Sequence, residues 1–446
     1  MEVLPQEESI TATQRAKALL VISALFTAFG ALYSPHLLST GVSLLVLLAC
    51  LRLYATLELY AVSRCRATVS RVFAVEGEDV EVRVVIENPT PVPVVTAEVS
   101  VAYSQYLKLV GGVRAFLTII PAKGSVTLTL RFRSRVGRHA VGPLRLAVRD
   151  VFGFFRFDYT VDAVGVVRCV PRASETTVRR LMVFTRTTGL TRSRRAGYGV
   201  ELYSIREYRV GDDIRRLVWK YLASKRRLVV KEMELETMNR VVFVVDGTAD
   251  SLAGPYGHTP FEYASRVVAS ISSYLSRRGD LMGVVIFSED GVYRTPKLAR
   301  SYRRVLEPFA DYAPSGSGNR DAEKRVTALE KAFKQVVSML PREKSLVFFL
   351  ATNPDQQYGQ TLSDTARKLV PLGHEVYVVL PLVTTFEIRG MPEWAQAAYR
   401  VKTFDLVKSY LEYARELRKR GVKTIVAGAQ HVPQVIVSML EARYGY

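Results

Sequence analysis

From Ala18 to Leu51 the chain carries no Asp, Glu, Lys or Arg, a run of 34 residues bounded by Lys17 and Arg52. As one straight helix this run would be roughly 50 Å long at about 1.5 Å per residue, well beyond a hydrocarbon core of roughly 30 Å. The turn signal Ser34-Pro35-His36 divides it. The pattern therefore predicts a transmembrane helical hairpin within residues 17–60, with one helix over 17–33 and a second over 37–59. Arg52 then falls near the end of the second helix, where a long side chain reaches the interface. Arg15 and Lys17 precede the hairpin, and Arg52, Arg64, Arg66 and Arg71 follow it, while its tip carries only His36. By the positive-inside rule both termini and the folded domains lie in the cytoplasm, with residues 1–16 a short cytoplasmic segment of a two-helix cell-membrane protein. A cleaved signal peptide has an apolar region of about 7–15 residues ending at a small-residue site, which this double-length run does not resemble.

Two further patterns follow. Over residues 67–171 short stretches alternate, as in Val80-Glu81-Val82-Arg83-Val84, Ala97-Glu98-Val99-Ser100-Val101 and Ser125–Phe132, between Gly, Pro and Asn turns. This predicts a β-sandwich-like domain, a scaffold or docking module with no acid, base or nucleophile cluster. Over residues 238–446 near-continuous Val/Ile/Phe strands (240–246, 281–287, 345–350, 375–380, 424–427) alternate with amphipathic helices (261–278, 321–340, 361–370, 404–420, 433–444). That is the pattern of an α/β doubly wound, mostly parallel sheet. Ligand sites of such sheets lie at the carboxyl ends of strands, which singles out Asp246, Thr352 and Asp355.

Charge changes the picture more than composition does. The 446 residues hold 62 Lys plus Arg against 42 Asp plus Glu, a net +20, so an anionic partner is expected: nucleic acid, phospholipid or an acidic protein surface. Cys50, Cys65 and Cys169 are few and scattered, which excludes a disulfide scaffold and a clustered zinc site. Residues 179–231 contain 15 Lys plus Arg and four acids, +11 of the total, inside a segment (172–237) read as a basic linker between the domains. Enzyme signatures do not appear. None of the 28 glycines is followed by Lys, so there is no P-loop, and neither H-E-x-x-H nor G-x-S-x-G occurs. His258 and His374 stand alone and read as structural. The chain is therefore expected to be no enzyme and to take no small-molecule substrate.

The basic segment reads Gly197-Tyr198-Gly199-Val200-Glu201-Leu202, then Arg206-Glu207-Tyr208, then Gly211-Asp212-Asp213-Ile214-Arg215, then Trp219-Lys220. Asp212 and Asp213 amid arginines suggest bidentate carboxylate–guanidinium pairs that lock a turn, with Gly211 supplying backbone freedom and Tyr208 and Trp219 flat surfaces for stacking. Such a motif either joins the two domains or presents an arginine-rich face to a partner. It resembles the signature of domain-of-unknown-function family 58, the MoxR-associated proteins with a von Willebrand A-like domain. Val136-Gly137-Arg138, Gly142-Pro143-Leu144 and Asp150–Phe155 resemble the end of that family's β domain. Leu202 stands where the family has an aromatic residue, and Val218 where a polar residue precedes the tryptophan.

The resemblance implies a von Willebrand A-like α/β domain. Such domains often hold Mg²⁺ through an aspartate-x-serine-x-serine loop completed by later loops, oxygen ligands suited to a hard cation. Here Asp246, Thr248 and Asp250 take the loop positions, Ser317 offers a hydroxyl, and Thr352 falls where the last aspartate is expected. A degenerate, metal-free loop and a compensated Mg²⁺ site both remain open on the sequence. The resemblance further implies a membrane-anchored adaptor or chaperone-like partner of a MoxR-type AAA+ ATPase, serving complex assembly, maturation or metal-cofactor insertion of an unspecified client protein. The alternative is a polyanion or nucleic-acid binding protein using residues 179–231, against which stand the scarcity of interleaved aromatic residues and the anchor.

Overall fold

The computed structural model describes residues 10–187, 196–234, 239–254, 256–314, 322–351, 356–382, 392–428 and 431–442. The chain divides into two units, Met1–Cys169 and Val170–Tyr446.

The first unit opens with β1 (Thr11–Ala12), α1 (Gln14–Tyr33) and α2 (Pro35–Arg64). Thr13 caps α1, its hydroxyl oxygen accepting from the Ala16 N–H. Both helices are long and apolar enough to cross a membrane. Their buried positions recur at a seven-residue period, Ala16, Ser23 and Gly30 on α1 and Gly41, Leu48 and Ala55 on α2, all but Leu48 small. The backbones touch there. A Cβ on Gly30 would lie 2.1 Å from the Leu38 nitrogen, and one on Gly41 2.5 Å from the Thr27 nitrogen.

Helix α2 runs to residue 64, beyond the expected end at 59, because its last turns are claimed by a second core. Ala61 and Val62 pack among the inward residues of two antiparallel sheets, and a Glu58 oxygen accepts from the Val95 N–H at 3.0 Å. The strands are β2 (Arg66–Val69), β3 (Val72–Val75), β4 (Asp79–Asn88), β5 (Val94–Tyr103), β6 (Lys108–Gly111), β7 (Ala115–Ile120), β8 (Gly124–Arg133), β9 (Gly137–Arg149), β10 (Phe155–Val161) and β11 (Gly165–Val170). One sheet has the order β2-β4-β8-β6; the other runs β1-β10-β9-β11-β3, with β5 on β9 and β7 on β5. Alternation places Val82, Val84 and Ile86 of β4 and Leu130 and Phe132 of β8 in the core shared with Leu144, Leu146 and Val148 of β9. Arg52 donates to the Ile10 carbonyl at 3.0 Å and lies over the Phe155 ring, tying α2 to the strand that leads into α1.

The second unit begins with α3 (Glu175–Thr187), β12 (Ala196–Glu207), α4 (Trp219–Lys225) and β13 (Val229–Glu234). The expected linker is therefore folded: β12 and β13 form an antiparallel hairpin carrying α4 in its connection, and the segment belongs to the second unit. Next come β14 (Arg240–Asp246), α5 (Pro260–Arg278), β15 (Leu281–Ser288), β16 (Gly291–Arg294), α6 (Tyr302–Asp311), α7 (Ala322–Met339), β17 (Leu346–Leu350), α8 (Gln356–Leu369), β18 (Glu375–Leu382), α9 (Glu393–Lys419), β19 (Lys423–Gly428) and α10 (Val432–Ala442). The sheet order is β16-β15-β14-β17-β18-β19, parallel except for the edge strand β16. Thr259 and Glu262 form a capping box at the start of α5, and Gly279 closes it with φ +81°. Two elements, β16 and α6, were not expected. β16 is only four residues of mixed exposure, and Pro308 interrupts the helical pattern of α6.

Candidate functional site

Strand β14 is the first of its sheet in the chain yet lies in the middle, with β15 on one side and β17 on the other. The strand order reverses beside it, and the crevice at its carboxyl end is where sheets of this kind place their ligands. Asp246 ends β14 there with a fully buried side chain. Its Oδ1 accepts from the Thr248 N–H at 3.0 Å and from the Thr248 hydroxyl at 2.6 Å. Its Oδ2 accepts from Arg325 Nη2 of α7 at 2.7 Å and from the Tyr358 hydroxyl of α8 at 3.3 Å. Arg325 also reaches Asp250, its Nη1 donating to Oδ2 at 3.2 Å. The Arg325 guanidinium lies over the Tyr358 ring, its carbon 3.8 Å from the ring centroid. Two bonds hold the loop itself: Ala249 N–H donates to Glu289, and the Tyr312 hydroxyl donates to the Gly247 carbonyl at 2.6 Å.

The electrostatics follow from burial. The Arg325 side chain is 3% exposed. Its removal from water works against the charge, but Asp246, seconded by Asp250, outweighs that and keeps the guanidinium protonated. Burial, reinforced by the Asp246 carboxylate, pushes the Tyr358 phenol far above its ordinary range, so it remains a neutral donor. No exposed nucleophile–base pair arises from this cluster; it is an interior lock.

Three of the expected metal ligands, Asp246, Thr248 and Asp250, are thus together, while Ser317, Thr352 and Asp355 lie outside the described residues. A Mg²⁺ between the two carboxylates would stand beside a positive guanidinium. At about 4 Å and an effective dielectric of about 20, that repulsion is about 8 kcal/mol for a divalent ion, which cancels the attraction of one of the two carboxylates. Among the described residues no group of three or more His, Cys, Asp or Glu is placed to hold a metal. Of the two alternatives the sequence leaves open, the described residues show the Asp246 and Asp250 carboxylates bridged by Arg325. Arg325 and Tyr358 escaped the sequence reading although a signal existed. Arg325 occupies the apolar stripe of α7 that continues through Ala328, Leu329, Ala332, Val336 and Met339, and a charge in that phase demands a buried counter-charge.

The basic hairpin is the second candidate. Arg206 donates bidentately to Asp212, Nη1 to Oδ2 at 2.8 Å and Nη2 to Oδ1 at 2.7 Å, while its Nε donates to Glu232 of β13 at 2.7 Å. The Ser204 hydroxyl donates to the other Glu232 oxygen, and the Arg209 N–H to Asp212. Hydrogen bonds from Arg206 and the Arg209 N–H hold the Asp212 carboxyl below the usual carboxylate range; for Glu232 the Ser204 hydroxyl leads and Arg206 adds. Gly211 turns with φ +106°, a region that favours glycine. Asp213 departs from expectation: it accepts from the Arg215 N–H as the cap of a short 3₁₀ turn. Gly197, Gly199 and Glu201 lie on β12. Tyr208 is half-buried, and among the described residues no guanidinium stacks on it or on Trp219. Instead Trp219 is 61% exposed, beside Lys220, and Val210 and Ile214 are exposed too, at 101% and 61%.

Residues 204–362 match the model of a family described as "Protein of unknown function DUF58". That match is to a region of the chain and not to the whole of it. It runs from β12 into α8, so the DUF58 match spans both the Arg206 network and the Arg325 cluster. No curated protein matches. Among solved structures, the VWA domain of SpRpn10 is 12% identical, covering 45% of this chain and 94% of that one, with a TM-score of 0.28. A non-cellulosomal cohesin from the hyperthermophilic archaeon Archaeoglobus fulgidus is 19% identical over 26% of this chain and 96% of that one, with a TM-score of 0.18. The Coh-OlpC-Doc435 cohesin–dockerin complex from Clostridium thermocellum is 12% identical over 24% and 94%, with a TM-score of 0.19. At such scores the architecture of this chain rests on the strand orders given above.

Proposed function

We propose that this chain is a membrane-anchored, non-enzymatic adaptor that offers its basic hairpin to a MoxR-type AAA+ ATPase, in the assembly, maturation or metal-cofactor loading of other proteins. One observation carries the reading: the hairpin turn is held rigid by Arg206, Asp212 and Glu232, yet exposes Val210, Ile214 and Trp219 among Arg209, Arg215 and Lys220. Apolar anchors ringed by cations match an acidic partner surface with apolar sockets. The ATPase as partner comes from the resemblance of the motif, and nucleotide hydrolysis would be its contribution. The apolar helices α1 and α2 support anchoring, and the flanking Arg15, Lys17, Arg64, Arg66 and Arg71 support a cytoplasmic placement of both units. The strand order, with its antiparallel edge, supports a von Willebrand A-like reading of the second unit.

Co-purification tests this. Full-length protein extracted in mild detergent is expected to retain a MoxR-type ATPase from its own organism, and Val210→Asp with Trp219→Ala to release it. Absence of the ATPase, or retention unchanged by both substitutions, would sink the reading. Capture of single-stranded nucleic acid with steep salt dependence, and no ATPase, would favour the polyanion alternative.

A further inference from the structure

We infer that Arg325 is the resident cation of the loop after β14, a side chain standing where a divalent ion would neutralise Asp246 and Asp250, so that this face of the domain works without Mg²⁺, Mn²⁺ or Ca²⁺. The guanidinium bridges the two carboxylates as an ion would, with one nitrogen on each: Nη2 to Asp246 at 2.7 Å and Nη1 to Asp250 at 3.2 Å. Thr248 supplies Oδ1 twice, and Arg325 and Tyr358 share Oδ2.

The cation is also fixed in place. It lies over the Tyr358 ring and is nearly sealed from water, so it cannot swing out without leaving a buried carboxylate behind. An aqueous metal ion and a buried guanidinium differ in what they offer a partner. A bound ion can keep a coordination position open for an incoming oxygen, whereas this guanidinium is spent on internal acceptors. A partner meeting this end of the sheet must therefore be recognised by surface side chains and not through a metal bridge, whichever protein that partner is.

The test uses the full chain in detergent, with Mn²⁺ binding read by electron paramagnetic resonance and thermal midpoints read in chelator and in millimolar Mn²⁺. The wild type is expected to bind no Mn²⁺ at this site and to melt at the same temperature in both buffers. Arg325→Ser, which vacates the position between two carboxylates, is expected to gain Mn²⁺ binding and a higher midpoint in Mn²⁺, both lost when Asp246→Asn is added. Wild-type Mn²⁺ binding that disappears in Asp246→Asn, or a wild-type midpoint lowered by chelator, would overturn the inference. So would a folded Arg325→Ser protein indifferent to Mn²⁺. If that variant fails to fold, the wild-type measurements decide alone.

Discussion

Removing the Arg325 charge while leaving Asp246 in place should be among the most damaging single changes in the second unit. Arg325→Met keeps an unbranched apolar stem against the Tyr358 ring but takes away both charge-assisted hydrogen bonds. Asp246, fully buried, then keeps Thr248 and Tyr358 of its described partners, and Asp250, 17% exposed, loses its described ion pair. Breaking a buried pair from one side destabilises by about 3–5 kcal/mol, because the remaining charge has no compensation. Removing both charges is close to neutral, so Arg325→Met with Asp246→Asn should recover most of the loss, the asparagine carbonyl still accepting from Thr248. Amide hydrogen exchange of Val241–Val245 on β14, measured on the full chain in detergent, reads the effect locally. Exchange by local opening should accelerate about a hundred- to several-thousandfold in Arg325→Met and return close to wild type in the double variant. Additive single effects, with no recovery in the double variant, would refute the coupling.

Two further outcomes follow from other parts of the molecule. Burial pushes His139 of β9 down to about 4 from its ordinary 6.5, and its Nε2 lies 2.8 Å from the Arg135 carbonyl. The unfolded chain binds the extra proton, so this stabilisation is complete above pH 6.5 and declines by about 3 kcal/mol as pH falls to 4. Replacing His139 with Gln should flatten the acid sensitivity of β9 amide exchange over that window, and an unchanged profile would contradict it. In the helical pair, Gly41→Leu should force α1 and α2 apart at a cost of about 1–3 kcal/mol, seen as loss of disulfide cross-linking between cysteines placed on their facing sides.

What could be read from the sequence depended on how far apart the interacting residues stand. Asp246 was legible because it ends an unbroken Val/Phe strand, and a carboxylate–guanidinium lock at Asp212 because its arginine stands only six positions away in the chain. Arg325 is 79 residues from Asp246, so its phase on the apolar stripe of α7 signals a buried charge but does not name the partner until helix and strand meet. The basic segment misled for a different reason. Its density of cations hides the hairpin of β12 and β13, of which Val229 and Val230 are buried among the described residues, so a folded hairpin looks like a linker. Asp213, adjacent to Asp212, was expected to share its role, yet its carboxylate is used by its own backbone. The end of α2 was misjudged because hydropathy marks where lipid stops, and the β core buries Ala61 and Val62 beyond that point.

The adaptor reading stands or falls on direct binding to the hairpin. The decisive measurement is a titration of a purified MoxR-type ATPase onto the full chain in lipid nanodiscs, comparing wild type with Trp219→Ala. Trp219 supports little of the fold at 61% exposure, so its loss should leave melting unchanged while weakening a central apolar anchor by about 2 kcal/mol, roughly 30-fold in Kd. Saturable wild-type binding with that loss is the predicted result. No binding, or equal affinity for both proteins, would contradict the account.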